Sequence, residues 1–210
     1  LEHLKVYQRH TLLIRDRELV IEGPIPPERL RLLRMHEELH AFRRPAEQLE
    51  ALIEIARLPE GRIIACIDGD TIVGYVTFHY PDELERWSDA NMEDLIELGA
   101  VEVAPSYRSG GIGKHMIQTA FAEGQLDRMI VYTTEYYWHW DLEGMKLNVW
   151  EYRSMMERVM QSIGMVWFAT DDPEICSHPA NCLMVRVGPD VPLSSVEQFD
   201  RVRFRQRFMY

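Results

Sequence analysis

Between Val101 and Lys114 the chain reads VEVAPSYRSGGIGK, an apolar strand that runs into a glycine-rich turn and opens a helix. The chemistry this pattern suits is the holding of a pyrophosphate. Residues without a Cβ let backbone N–H groups approach phosphate oxygens, and the first turn of a helix offers unpaired donors at the positive end of its dipole. Arg108, Gly111 and Gly113 follow the spacing R-x-x-G-x-G, and the backbone of Ser109, Gly110, Gly111, Ile112, Gly113 and Lys114 is the candidate cradle, entered from the strand residues Val101 and Val103. Two commoner nucleotide motifs do not fit. A dinucleotide fingerprint needs glycine where Arg108 stands, and a Walker loop needs Ser or Thr after Gly-Lys, where this chain has His115. Glycine-rich turns between strand and helix also arise for steric reasons alone, so the surrounding elements must decide.

Hydrophobic periodicity and turn residues give an ordered set of elements. Strands are expected at 11–14 and 18–21, and helices at 26–36 and 45–56, each with proline near its first turn. Strands 62–67 and 71–79 flank Asp68-Gly69-Asp70, a hairpin signal. A strand at 95–104 leads to the glycine turn, and a helix from Gly111 to about Glu123 carries Met116, Ile117, Ala120 and Phe121 as its apolar stripe. Strand 129–134, helix 148–163 ending at Gly164, and strands 165–170 and 183–187 complete the set. A chain of 210 residues with no long linker, low-complexity tract or repeat reads as one domain over 1–210, with a C-terminal extension from about 188 to 210.

The glycine segment resembles motif A of the GNAT acyltransferases, in which a strand ending V-x-V-x-P leads to a phosphate-binding turn that cradles coenzyme A. The resemblance implies an α/β (α+β) GNAT fold, with a mixed central sheet splayed at the cofactor site and helices on both faces. It also implies acetyl-CoA as co-substrate and no metal. The element order β, α, α, β, β, β, α, β, α, β, β is the one that fold would give. Segments outside the motif, among them NMEDLIELGAVEVAP, TTEYYWHWDLEGMK and VWFATDDPEICSHPANCLM, resemble one subfamily, the acetyltransferases of acetoin utilisation, from near Glu22 to Tyr210. That resemblance implies transfer of acetyl to an active-site lysine of acetyl-CoA synthetase, which inactivates the synthetase by neutralising a charge its reaction needs.

A lysine amine, with an unperturbed pKa of about 10.4, is protonated at neutral pH and needs a base or desolvation before it attacks a thioester. Glu97 lies eleven positions before Arg108, where GNAT members of the histone type carry a strand glutamate that relays the proton through water. Its neighbours Leu95, Ile96, Leu98 and Val101 would raise its pKa by desolvation, the right direction for a base working near neutrality. The alternative is a solvated glutamate on a strand edge. Glu102 is the competing carboxylate; on a regular strand it faces away from Glu97, and a bulge would overturn that. The N–H groups of Val101 and Val103 would face the thioester. The resemblance to GNAT enzymes implies a general acid tyrosine four residues before Gly164, where the chain has Met160. A thiolate leaving group, with a pKa of about 8.5, hardly needs one. Tyr152, Tyr136, Tyr137 and His139 are the substitutes, or else packing residues.

The run Tyr136-Tyr137-Trp138-His139-Trp140-Asp141 is either an acceptor-facing wall or a hydrophobic plug. Cys176, His178 and Cys182 lack the fourth ligand of a structural zinc site. Arg201, Arg203, Arg205 and Arg207 alternate with Val202, Phe204, Gln206 and Phe208, which reads as a strand with guanidinium groups on one face: a protected sheet edge, or a patch for an acidic partner surface or the coenzyme's 3′-phosphate. A net charge of -11 argues against broad contact with nucleic acid or an anionic membrane. Three cysteines, no signal peptide and no long apolar run point to a cytoplasmic protein. Nothing in the sequence sets an oligomeric state. The two rival functions are N-acetylation of a small amine and an acyl-CoA-sensing regulator that inhibits its partner by docking.

Overall fold

The computed structural model describes residues 2–108 and 110–208. In chain order these form β1 (Gln8–Ile14), β2 (Arg17–Gly23), α1 (Pro27–Leu30), β3 (Arg34–Met35), α2 (Pro45–Arg57), β4 (Arg62–Asp68), β5 (Thr71–His79), β6 (Leu95–Val103) and α3 (Ile112–Ala120). They continue as β7 (Ile130–Glu135), α4 (Leu142–Met145), α5 (Val149–Gln161), β8 (Val166–Phe168), α6 (Pro173–Cys176), β9 (Cys182–Val187) and α7 (Leu193–Arg203). Two compact units result, residues 2–79 with 98–125 and residues 80–97 with 126–208, and β6 contributes to both.

In the first unit β1, β2, β4 and β5 pair antiparallel in that order. The Asp68-Gly69-Asp70 turn joins β4 and β5 as its sequence predicts, with Gly69 at φ 62°. Strand β4 is buried from Arg62 to Ile67, so its apolar run is unbroken where a half-exposed strand would alternate. Arg62 is tolerated there because its guanidinium donates to the carbonyls of Glu60 (2.6 Å) and Leu4 (2.9 Å). Tyr75 packs into a core cluster with Leu30, Leu33, Leu52, Ile53 and Ile63, which is the face covered by α1 and α2. A Cβ at the adjacent Gly74 would instead meet Met116 of α3 at 3.1 Å, so helices lie on both faces of this sheet.

The helix expected over 26–36 is corrected. It ends at Leu30, and Arg34–Met35 becomes β3, pairing parallel with β5 (Arg34↔Thr71). Arg34 donates from its backbone to Asp70 (2.9 Å) and from its guanidinium to the Asp70 carboxylate (2.6 Å), and His36 N–H reaches Ile72 (2.9 Å). Bonds to a strand distant in sequence outweigh a helical pattern of marginal length.

In the second unit β9 pairs antiparallel with both β7 and β8, and Leu95–Glu97 of β6 runs parallel to β7 (Leu95↔Ile130). Its core gathers Trp87, Leu95, Ile130, Tyr132, Val185 and Phe199. Helix α5 opens with a capping box, Asn148 accepting from Glu151 N–H and Glu151 from Asn148 N–H, an arrangement that stabilises a helix start by about 1 kcal/mol.

The C-terminal arginines are also corrected. Residues 193–203 are α7, which buries Phe199 and Val202 three positions apart, and a 3-10 turn follows at Arg205–Phe208. Arg203 donates to Asp200 (2.6 Å) and Ala169 (2.7 Å), and its guanidinium lies over Phe168 and Phe204. Arg205 pairs with Asp89, and the N–H groups of Arg205 and Gln206 both donate to Asp171. Asp171 also receives Arg86 at 2.7 Å. Period-two alternation over four arginines is outweighed by the buried helical spacing upstream. Among the described residues no helix is long and apolar enough to cross a membrane.

Candidate active site

The glycine turn is held before the glycines begin. Ser106 donates from N–H and hydroxyl to Glu38 (2.9 and 2.7 Å), Tyr107 hydroxyl donates to Asp68 (2.7 Å), and Arg108 Nε donates to Val103 O (3.1 Å). Ser106 holds the Glu38 carboxyl below the usual carboxylate range. Gly110 (φ 66°) and Gly111 (φ 70°) then take the left-handed conformation. A Cβ on Gly110 would strike Ile14 Cδ1 at 2.7 Å, whereas one on Gly111 would meet nothing nearer than 4.0 Å. Among the described residues no side chain caps α3 and its first turn carries no acidic residue, so the N–H groups of Ile112, Gly113 and Lys114 have no partner there at the positive end of a helix dipole. That donor set fits a phosphate group. Ser109 lies outside the described residues.

Strand β6 presents the other expected amides. Ala100 N–H goes to Thr77 Oγ1 (3.0 Å) and Ala104 N–H to Val73 O (2.8 Å), both on the β5 side. By strand alternation the N–H groups of Val101 and Val103 point away from β5. The side chains of these two valines pack toward Gly113, at 3.8 and 4.0 Å from the position of a Cβ there.

Glu97 sits at the end of the β6 segment paired with β7, opposite Tyr132. It is partly buried, and its carboxyl is pushed up to about 8, first by loss of solvent and then by the negative charges of Glu85 and Asp82. The Tyr132 hydroxyl opposes the shift, and this buried hydroxyl has no partner of strict hydrogen-bond geometry among the described residues. A carboxylate that titrates near neutrality while facing a pool of like charge is suited to taking a proton from a cationic amine.

Glu102 lies on the face under α1 and α2. It is buried, with one oxygen accepting from Tyr75 hydroxyl (2.5 Å) and the other from Ala41 N–H (2.9 Å). Ala100 and Ala104 of the same parity join the cluster under α1 and α2, while Val101 and Val103 face α3. Glu102 therefore ties the 36–44 loop to the sheet. Tyr152, on α5, stacks on Trp140 (4.9 Å, 16°). His139 is exposed in a 3-10 turn, edge-on to Tyr136 and Trp138. The aromatic run is divided: Trp140 is buried and donates to Glu135 (3.1 Å), Trp138 is 45% exposed, and Asp141 caps α4 by accepting from Gly144 N–H. Cys182 is buried in β9, Cys176 is exposed, and no metal-binding group of three such ligands occurs among the described residues.

Two carboxylates of this unit escaped the sequence reading. Burial raises the pKa of Glu85, with Asp82, Glu174 and Asp172 adding to it, and burial raises that of Glu135 against the hydrogen bonds from Trp140 and Thr133. Glu85 precedes the 3-10 turn Arg86–Ser88, whose Trp87 packs on Tyr132 at 5.2 Å. Only the density of acidic residues around 82–85 could have suggested it.

An anion-binding helix start after an R-x-x-G-x-G turn, on a mixed sheet flanked by helices, is the arrangement of a GNAT acyltransferase. The acetyltransferase (GNAT) family profile matches residues 29–138, and the chain belongs to that family and is an acetyltransferase. It is 59% identical over 210 residues, all of both chains, to the acetoin utilization protein AcuA of Bacillus subtilis. It is 57% identical, again over both full lengths, to AcuA of Bacillus licheniformis. A crystal structure of the acetoin utilization protein from Exiguobacterium sibiricum superposes with a TM-score of 0.95 at 49% identity, covering 99% of this chain and 98% of the other.

Proposed function

We propose that this acetyltransferase uses acetyl-CoA to acetylate a lysine of acetyl-CoA synthetase, and so switches the synthetase off in acetoin and acetate metabolism in the cytoplasm. The observation that carries this reading is Glu97, a carboxyl at about 8 on the strand that also carries Val101 and Val103. Relatives named for acetoin utilization support the metabolic setting. In the reaction, the Glu97 carboxylate accepts a proton from the lysine ammonium, directly or through one water. The freed amine nitrogen attacks the thioester carbonyl carbon. The oxyanion is met by β6 amides; as it collapses the C–S bond breaks, the attacking nitrogen sheds its second proton, and coenzyme A leaves as a thiolate that takes up that proton and needs no strong acid to depart. The uncapped start of α3 and the Arg108 to Lys114 turn, Ser109 included, hold the pyrophosphate. Tyr152 and His139 have no assigned step, since the first is stacked in packing and the second is exposed.

The test is to incubate the protein with acetyl-CoA and purified acetyl-CoA synthetase and follow the synthetase by intact mass, mapping any acetyl group to its lysine. One acetyl on the adenylation lysine, slowed by about 10²–10⁴-fold in Glu97→Gln, is expected. Loss of synthetase activity with no mass change would refute transfer and favour inhibition by docking.

A further inference from the structure

A cavity lies wholly within the first unit, away from the glycine turn in sequence. It holds about 500 Å³ and is lined by Pro24, Pro27 and Ala56 on its apolar walls and by Lys5, Tyr7 and Arg29 as its polar groups. That size is within the range of small-molecule sites, and apolar walls with a few convergent polar groups are their usual make-up.

Behind the wall stands Glu22, whose side chain is 1% exposed. Its carboxylate accepts from Arg29 Nε (2.9 Å) and from the Tyr7 hydroxyl, and Arg9 lies at 3.6 Å. One buried carboxylate thus orients two of the cavity's polar side chains from behind and leaves their remaining capacity toward the cavity. Arg29 spends only Nε on Glu22, and its terminal nitrogens meet no acceptor among the described residues. Lys5 donates one N–H to Leu58 O (2.7 Å). Burial lowers the pKa of Lys5, and the neighbouring Arg62 lowers it further against the pull of Glu60. Around this cavity the cations Lys5, Arg9, Arg29 and Arg62 outnumber the carboxylates Glu22 and Glu60, in a chain whose net charge is -11. A local excess of positive charge at a part-exposed cavity favours an anion there.

The geometry points to a binding site for a small carboxylate with an apolar body, its carboxylate between Arg29 and Lys5 and its hydrocarbon part against Pro24, Pro27 and Ala56. A guanidinium with two free nitrogens matches a carboxylate in bidentate fashion, which an ammonium alone does not. The site is separate from the proposed coenzyme turn and does not depend on the reaction assigned above.

The test uses the whole protein with hexanoate and, as an uncharged probe of equal size, 1-hexanol, read by thermal shift and by titration calorimetry. Hexanoate is expected to stabilise the protein and bind at least tenfold more tightly than hexanol. The preference should vanish in Arg29→Gln and in Lys5→Met, the latter a part-exposed position where folding is retained. Saturating coenzyme A should leave hexanoate binding unchanged. Equal binding of hexanol, hexanoate binding that survives both substitutions, or its displacement by coenzyme A would each overturn the assignment.

Discussion

If Glu97 is the base, the pH dependence of turnover should be written by its neighbours, and Glu85→Gln is the sharpest perturbation. With its carboxyl at about 8, only about a tenth of Glu97 is ionised at pH 7 and about nine tenths at pH 9, so kcat/KM should rise about tenfold across that interval. Glu85 contributes to the shift by like-charge repulsion, second only to burial. A like charge acting through an effective dielectric between about 20 and 80 is worth about 0.5–2 kcal/mol at a separation on the order of 8 Å. Removing it should move the inflection to lower pH and increase the rate at pH 7 by about two- to tenfold, with little change at pH 9. Tyr132→Phe should do the reverse, because its hydroxyl favours the ionised carboxylate. The assay is initial rate against pH at sub-saturating acceptor, wild type beside both variants. Titration of the acceptor lysine is common to all three and cancels in the comparison. An inflection that coincides in wild type and Glu85→Gln would refute the reasoning, as would shifts of both variants in the same direction.

Three further outcomes follow from the packing. Glu102→Ala strands the buried Tyr75 hydroxyl and the Ala41 N–H, and should cost about 2–4 kcal/mol in urea unfolding, with Glu102→Gln losing less and both keeping kcat per folded molecule. Phe199→Ala, at a fully buried side chain between Trp87 and Phe168, should cost about 3–5 kcal/mol and lower the melting temperature accordingly. Gly110→Val meets both a left-handed backbone and Ile14, and should weaken coenzyme A binding at least tenfold by calorimetry, whereas Gly111→Ala, with open space around it, carries only a backbone cost of about 1–2 kcal/mol.

The parts of the molecule governed by local chemistry were legible. The glycine turn, the β4–β5 hairpin and helix α5 with its asparagine cap each announce themselves within a dozen residues, and the structure has all three. Glu97 was legible as a carboxylate among apolar neighbours, because desolvation on a strand is itself a local property. What failed to read was set by partners distant in sequence. Arg34 leaves a helical pattern because Asp70 is there to receive it, and Phe199 with Val202 imposes helical spacing on arginines whose alternation suggested a strand. Glu102 was legible as a second carboxylate of the strand, but its partners Ala41 and Tyr75 are distant in sequence, and so are Asp172 and Glu174, which act on Glu85.

The knot of charges around Asp171 has a consequence in time. Arg86, one residue after Glu85, is received by Asp171, which is in turn capped by the N–H groups of Arg205 and Gln206, while Arg205 reaches back 119 positions to the Arg86 carbonyl. A nascent chain held on the ribosome short of Arg205 would have its coenzyme turn complete and Arg86 free to pair with Asp171, but the second half of this clamp open. The Arg205 half of the clamp would then close late in synthesis, only once those last charges had emerged.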